Sequence, residues 1–363
     1  MEELVLKPGG YSYDNRYVVI GGLGSGNCSK VYIAQDNDRS AKCHSQLVAL
    51  KVLYQDPDGI VSLEERIARG ELPELLKDSG DRLLLPTRLI EFQVPHDPRS
   101  SYHTALVMTT LAGPSIFEYA KTCDFSRLPV NMALVAMTDA VSSLAYLHRH
   151  NIGHGDFHNR NLLLLPSSPM SRWPTNKLEA YTARRPFGIH ASKLESAHME
   201  DMMSFFAEND MRFDGRVLLT DFGSSYEGQG PEWLTGDARF VINAPERLEE
   251  RAWGLPSDIW SLGCTIIEVL AGIEIFRPNS LRYPGPTDFG DTEVKQRIYE
   301  LLPPWRWEPN ELKSEMKSLW PPALSTVICR QLEDLLEKML VLEPERRLKI
   351  HEVAETWRTI GIC

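Results

Sequence analysis

Short apolar runs rich in β-branched and aromatic residues open the chain. Tyr17–Val18–Val19–Ile20, Val31–Tyr32–Ile33–Ala34 and Leu47–Val48–Ala49–Leu50 are separated by Gly- and Asp-rich turns and predict strands. Leu83–Leu85, Leu89–Phe92 and Ala105–Met108 predict more of them. From Ser62 to Lys77 the apolar positions Leu63, Ile67, Leu72, Leu75 and Leu76 follow a mostly helical spacing that Pro73 interrupts. From about residue 114 the period changes. Asn131 to His148 carries Leu134, Met137, Val141, Leu144 and Leu147 on one face, which predicts a long amphipathic core helix. The stretches 257–272 and 326–342 read the same way. A β-rich first part and a helical second part predict an α+β fold in two lobes, residues 1–108 and 109–363.

One segment breaks this order. Residues 166–215 are rich in Ser, Pro, Arg, Met and His and lie between the apolar runs Leu162–Leu165 and Val217–Leu219. We read them as an insertion in the second lobe, partly loop and helical over Ser192–Glu208. No internal repeat is visible.

Composition narrows the class. A chain of 363 residues is long enough for two lobes. With 39 Lys and Arg against 50 Asp and Glu, the net charge of −11 makes direct binding of a nucleic-acid backbone a poor expectation. Leu162–Leu165, among the longest uninterrupted apolar runs, is far short of a membrane span, and the N-terminal residues MEELVLKPGG lack a signal-peptide pattern. No membrane association is expected. The six cysteines show no CxxC spacing, which argues against zinc and a disulfide framework and points to a reducing, cytoplasmic setting, with nuclear entry left open.

Four short motifs carry chemistry. Gly24-Ser25-Gly26-Asn27-Cys28-Ser29-Lys30-Val31 is a glycine-rich turn between strands, where backbone N–H groups can approach phosphates. A strand follows it, so it is not a dinucleotide-binding fingerprint. Val48-Ala49-Leu50-Lys51 closes an apolar strand on a lysine suited to phosphate oxygens. That lysine needs a carboxylate partner, for which Glu71 is the first choice and Glu74 the alternative. His154-Gly155-Asp156-Phe157-His158-Asn159-Arg160-Asn161 has the form HxDxxxxN, with an aspartate able to take or orient a hydroxyl proton and an asparagine able to bind Mg2+. Leu219-Thr220-Asp221-Phe222-Gly223 supplies a carboxylate able to chelate Mg2+. Ala244-Pro245-Glu246, Ser257-Asp258-Ile259-Trp260-Ser261-Leu262-Gly263 and Glu343-Pro344-Glu345-Arg346-Arg347 follow in order.

This ordered set resembles the eukaryotic protein kinases from about Tyr17 to Trp357. The nearest likeness is to the SR-protein kinases and their fungal relatives. It rests on Gly10–Tyr17, on serine at the third glycine position (Ser29), on His103–Met108 followed by Leu111-Ala112-Gly113-Pro114-Ser115, and on the place of the insertion. The resemblance implies a bilobal kinase fold, ATP and Mg2+ as cofactors, and γ-phosphate transfer to Ser or Thr of a protein substrate, basic or Arg-Ser-rich, by a monomer. It implies that Asp156 is catalytic, that Gly24, Ser25, Gly26 and Lys51 hold the phosphates, and that Asn161 and Asp221 hold metal. It also places the adenine by Val31, Ala49 and the gatekeeper Met108, with hinge backbone groups of Thr109 and Leu111 on its edge. Glu246 and Arg347 would form a buried ion pair, and Asp258 would brace the catalytic loop.

Three residues depart from the pattern. Gly155 replaces the arginine of HRD, which normally meets a phosphate, so activity independent of loop phosphorylation is expected. His158 stands where a lysine is usual, and Arg160 is expected to supply that charge to catalysis. Arg239 replaces the threonine that usually precedes APE. Two rivals remain open: a small-molecule kinase of the choline or aminoglycoside type, suggested by His154–His158, and a weakly active pseudokinase scaffold.

Overall fold

The computed structural model describes residues 12–13, 16–26, 29–38, 46–54, 61–77, 82–93, 102–123, 126–185, 196–231, 242–277, 291–302 and 311–360. Along the chain the elements are β1 (Ser12–Tyr13), β2 (Tyr17–Ser25), β3 (Ser29–Asp36), β4 (Gln46–Leu53), α1 (Leu63–Ala68), α2 (Pro73–Lys77), β5 (Arg88–Gln93) and β6 (Tyr102–Met108). Next come α3 (Ile116–Ala120), α4 (Val130–Arg149), β7 (Ile152–Gly153), β8 (Leu162–Pro166), α5 (Thr175–Arg184), α6 (Ser196–Glu208), β9 (Phe213–Leu219) and β10 (Tyr226–Glu227). The last are α7 (Pro245–Leu248), α8 (Leu255–Ala271), α9 (Asp291–Leu301), α10 (Glu311–Met316), α11 (Thr326–Met339) and α12 (Ile350–Thr359). Contacts divide the chain into two units: residues 1–113 with 165–213, and 114–164 with 214–363. The residues Asn27, Cys28 and Arg239, to which the sequence reading gave weight, fall outside the described residues.

The first unit is built on an antiparallel sheet of order β1-β2-β3-β4-β6-β5. Its alternation sorts side chains to two faces. Val31 lies opposite Lys51, Lys51 opposite Leu106, and Ala49 opposite Met108, so these five share one face. Tyr17, Ala34, Val48, Leu50 and Val107 pack together on the other. The helical stretch expected over Ser62–Lys77 is two helices. A capping box between Ser62 and Glu65 starts α1, Gly70 turns the chain with φ +78°, and Pro73 opens α2 where its missing N–H costs nothing.

The insertion packs with this first unit, not with the second lobe to which the sequence assigned it. Besides the expected helix, seen as α6, it contains α5, which rests on β2. Trp173, Tyr181 and Phe205 meet edge-on or tilted, and Phe206 continues the cluster to Phe213. At the α5–β2 contact Gly21 has no room for a side chain, since a Cβ would overlap Thr182. The polar composition hid α5 because its buried face is narrow: Leu178, Tyr181 and Thr182.

The second unit is helical around α4. This helix is long and apolar enough by composition to span a membrane, yet it packs as a core helix. Ala133, Met137, Ala140, Leu144 and Leu147 are fully buried, and α8 and α12 lie against it. Trp357 on α12 donates its indole N–H to Thr138 on α4 (2.9 Å). Helix α8 is buried over nearly its whole length and ends on Gly272 in the left-handed conformation.

Candidate active site

In the first unit the glycine-rich segment is the β2–β3 hairpin, with Gly24 opposite Val31 and Ser25 opposite Lys30. The Gly26 N–H donates to the Ser29 carbonyl (2.9 Å). A Cβ at Gly24 would meet nothing within 4 Å among the described residues. On the next strand Lys51 is 7% exposed and its ammonium reaches Glu64 Oε2 at 2.5 Å. This corrects the sequence expectation. Glu71 is half exposed and pairs with Arg66 (3.2 Å), while Glu74 pairs with exposed Lys77. The capping box puts Glu64 in the first turn of α1, on the sheet face that carries Lys51. An adjacent capping glutamate, Glu65, was the available signal. Ala49 and Met108 are buried beside Lys51 on that face, Leu111 is buried, and Thr109 is exposed.

In the second unit Asp258, at the start of α8, organises the loop after β7. Its carboxylate accepts from the backbone N–H of His154 (2.8 Å) and of Gly155 (3.0 Å), and meets His148 Nε2 (3.0 Å). Burial works against its charge, but His148 and these donors hold its carboxyl below the usual range. The His154 Nδ1 accepts from the Asp156 N–H (3.3 Å), so Nε2 carries the proton toward the Thr220 carbonyl (3.1 Å). Burial pushes the His154 pKa down and keeps that ring neutral.

Asp156 is the focus of this loop. Its Oδ2 faces His158 Nε2 at 3.3 Å, while its buried Oδ1 has no hydrogen-bond partner. Burial raises the carboxyl, and the nearby His158 overcomes this and holds it at about 2. Arg160 was expected to supply charge to catalysis. Its guanidinium lies over the Phe117 ring, 4.0 Å from the centroid. Asn161 donates through Nδ2 to the Asp156 carbonyl (2.9 Å), and its own carbonyl accepts from the Thr220 N–H (3.0 Å). That bond brings the backbone of Asn161 beside Asp221, which adopts a left-handed conformation with φ 66° and ψ 73°. Phe222 turns inward, fully buried, with its ring 5.4 Å from His154.

Among the described residues no group of three His, Cys, Asp or Glu could hold a metal alone. One carboxylate and one amide oxygen fit a hard cation that completes its shell with water and phosphate oxygens. Asn161 and Asp221 therefore suit Mg2+ bound together with a nucleotide. Behind the loop, Arg347 forms a bidentate pair with Glu246, both contacts 2.7 Å, and both side chains are buried.

A family model described as "Protein kinase domain" matches residues 189–357. Over that stretch, just under half of its length, the chain is similar to the eukaryotic protein kinases. Curated relatives match far more of it at low identity. "Serine/threonine-protein kinase AFC1" of Arabidopsis thaliana is 22% identical, over 93% of this chain and 69% of its own length. "Dual specificity protein kinase lkh1" of Schizosaccharomyces pombe is 22% identical, over 94% and 46%. "Dual specificity protein kinase CLK2" of Mus musculus is 23% identical, over 94% and 63%. The chain thus spans from under half to about two thirds of the length of these protein kinases.

Proposed function

We propose that this protein kinase transfers the γ-phosphate of ATP to Ser or Thr hydroxyls of a basic protein substrate. The observation that carries the reading is Asp156: a carboxylate kept ionised, fixed on one oxygen by His158, with Oδ1 left to accept a substrate hydroxyl. Little covalent chemistry falls to the protein in such a reaction, which depends on alignment and on neutralising spread charge. Asp156 would orient the attacking hydroxyl, and Lys51, set by Glu64, would hold phosphate oxygens. The Gly24–Gly26 hairpin would present backbone N–H groups to the phosphates, and Val31, Ala49 and Met108 would form the apolar seat of the adenine. Mg2+ held by Asn161 and Asp221 would neutralise phosphate charge.

A basic substrate is supported by charge placement. Residues 217–363 hold 16 Lys and Arg against 24 Asp and Glu. The likeness to SR-protein kinases suggests Arg-Ser stretches, and we place the enzyme in the cytoplasm as a monomer. The pseudokinase rival is disfavoured because Lys51, Asp156, Asn161 and Asp221 are all present. The small-molecule kinase rival is disfavoured by the Glu246–Arg347 pair and the Asp258 brace, which build out a protein-kinase helical lobe.

The test is transfer from radiolabelled ATP to arrayed peptides, with Arg-Ser, acidic and proline-directed sets, plus choline and aminoglycosides. Arg-Ser peptides should be labelled best, and Asp156→Asn should abolish labelling. Equal labelling of acidic peptides would remove the basic-substrate reading. Labelling of the small molecules alone would replace the protein-kinase activity.

A further inference from the structure

Arg247 follows Glu246 directly in the short helix α7, and both are buried, yet they serve opposite sides. Glu246 faces Arg347, whereas Arg247 reaches the catalytic loop and donates through Nη1 to the Gly155 carbonyl at 2.5 Å. Its guanidinium carbon lies 4.2 Å from the centroid of the Trp253 ring. Trp253 in turn meets Tyr226 edge-on, with centroids 4.7 Å apart. Tyr226 fills the space that Gly153 leaves by having no side chain. A planar, stacked cation is therefore held in a tight slot directly behind the residue that precedes Asp156.

Gly155 is where the loop needs such support. Its φ of +80° is open to glycine, and glycine also has the most freedom to leave it. Its N–H is tied to Asp258 and its carbonyl to Arg247. That carbonyl shares a rigid plane with the Asp156 N–H, which His154 Nδ1 accepts. The peptide carrying Asp156 is thus pinned at both ends, one end by a charge-assisted bond.

We propose that Arg247 is the positioning residue for Asp156, replacing from α7 the arginine that the loop lacks at Gly155, so that no phosphate is needed to order the loop. This rests on the reading of Asp156 given above.

The test compares Arg247→Gln, Arg247→Lys and Trp253→Phe with the wild-type chain by steady-state kinetics, thermal melting and amide hydrogen exchange. Arg247→Gln should lower kcat about tenfold or more, with KM for ATP and peptide each within about threefold, because misplacement at the reacting centre acts on turnover. Arg247→Lys should restore part of that loss, since one N–H can still reach the carbonyl. Exchange over residues 152–161 should quicken about tenfold in Arg247→Gln, with residues 350–359 unchanged. Phosphatase treatment of the wild type should leave kcat unchanged.

An unchanged kcat per folded molecule in Arg247→Gln, unchanged exchange over 152–161, or loss of activity on phosphatase treatment would each overturn the proposal. Should Arg247→Gln fail to fold, Trp253→Phe decides: a several-fold fall in kcat at constant KM supports it, and wild-type kcat and exchange overturn it. If the wild type labels no substrate, the proposed function fails, and the exchange data alone decide the role of Arg247.

Discussion

Among the described residues each unit buries a Lys or Arg ion pair, and these two pairs are built differently. In the second, Glu246 and Arg347 meet fork to fork, and all five Arg347 N–H groups have acceptors: both Glu246 oxygens and the carbonyls of Val341, Pro256 and Leu342. Nothing is left for a ligand, so the pair is scaffold. In the first, Lys51 meets one oxygen of Glu64 through an ammonium on a flexible stem. On the proposed reading that group would turn toward phosphate oxygens, and it shares with Val31, Ala49 and Met108 a sheet face that ends in a glycine hairpin. A rigid guanidinium locked onto five acceptors suits scaffold, whereas a compact ammonium on a flexible stem suits a group that must adjust to a ligand.

The largest expected effect breaks the structural pair. Arg347→Met orphans a buried carboxylate and should cost about 3–5 kcal/mol in urea unfolding, with turnover per folded molecule retained. Glu246 has its carboxyl below the ordinary range: burial opposes the charge, but Arg347 outweighs it. A lowered folded pKa gives stability that is present above the unfolded value, about 4.3, and is lost as pH falls through the folded one. An acid scan of the wild type should show this loss, and Arg347→Met should flatten it. A variant that keeps full stability yet loses turnover would reverse the assignment.

Next is the working pair. Lys51→Arg keeps the charge but replaces a compact ammonium with a planar fork, and should lower kcat/KM roughly hundredfold while the melt stays cooperative. Wild-type turnover in this variant would remove Lys51 from phosphate binding. Glu64→Gln should lower turnover about tenfold, because the amide holds the ammonium less firmly. Glu71→Gln should change stability by no more than about 0.5 kcal/mol and leave turnover alone. Equal effects from the two glutamine variants would contradict the pairing seen here.

That contrast also marks what the sequence could show. The sheet, the long core helix, and the places of Lys51, Asp156, Asn161 and Asp221 were legible because short motifs and hydrophobic period carry them. Glu64 was missed because spacing suggested a partner twenty residues past Lys51, whereas the capping box at Ser62–Glu65 starts α1 earlier. The loop sequence does not say which side chain turns toward Asp156. His158 does, and Arg160 stacks on Phe117, a residue 43 positions upstream. Helix α5 and the slot around Arg247 depend on contacts between distant segments, Gly21 with Thr182 and Gly155 with Arg247, which no local pattern announces.

The smallest expected effect extends the comparison from pairs to fields. Residues 1–108 carry 12 basic and 15 acidic groups, close to balance, while 217–363 carry 16 and 24. Much of that acidic excess is solvated and contributes little to stability. For the proposed basic substrate its consequence would be for encounter, since exposed charges act over distances that salt screens. Raising ionic strength from about 0.05 to 0.5 M shortens the Debye length to about a third, so KM for an Arg-Ser peptide should rise a few-fold with kcat unchanged. KM for ATP should move less, because the contacts proposed for it, from Lys51 and the hairpin, are short-range. A flat salt response for the peptide would mean that the acidic excess of the second unit is solvated scaffold alone, and substrate choice would then have to come from shape and individual hydrogen bonds.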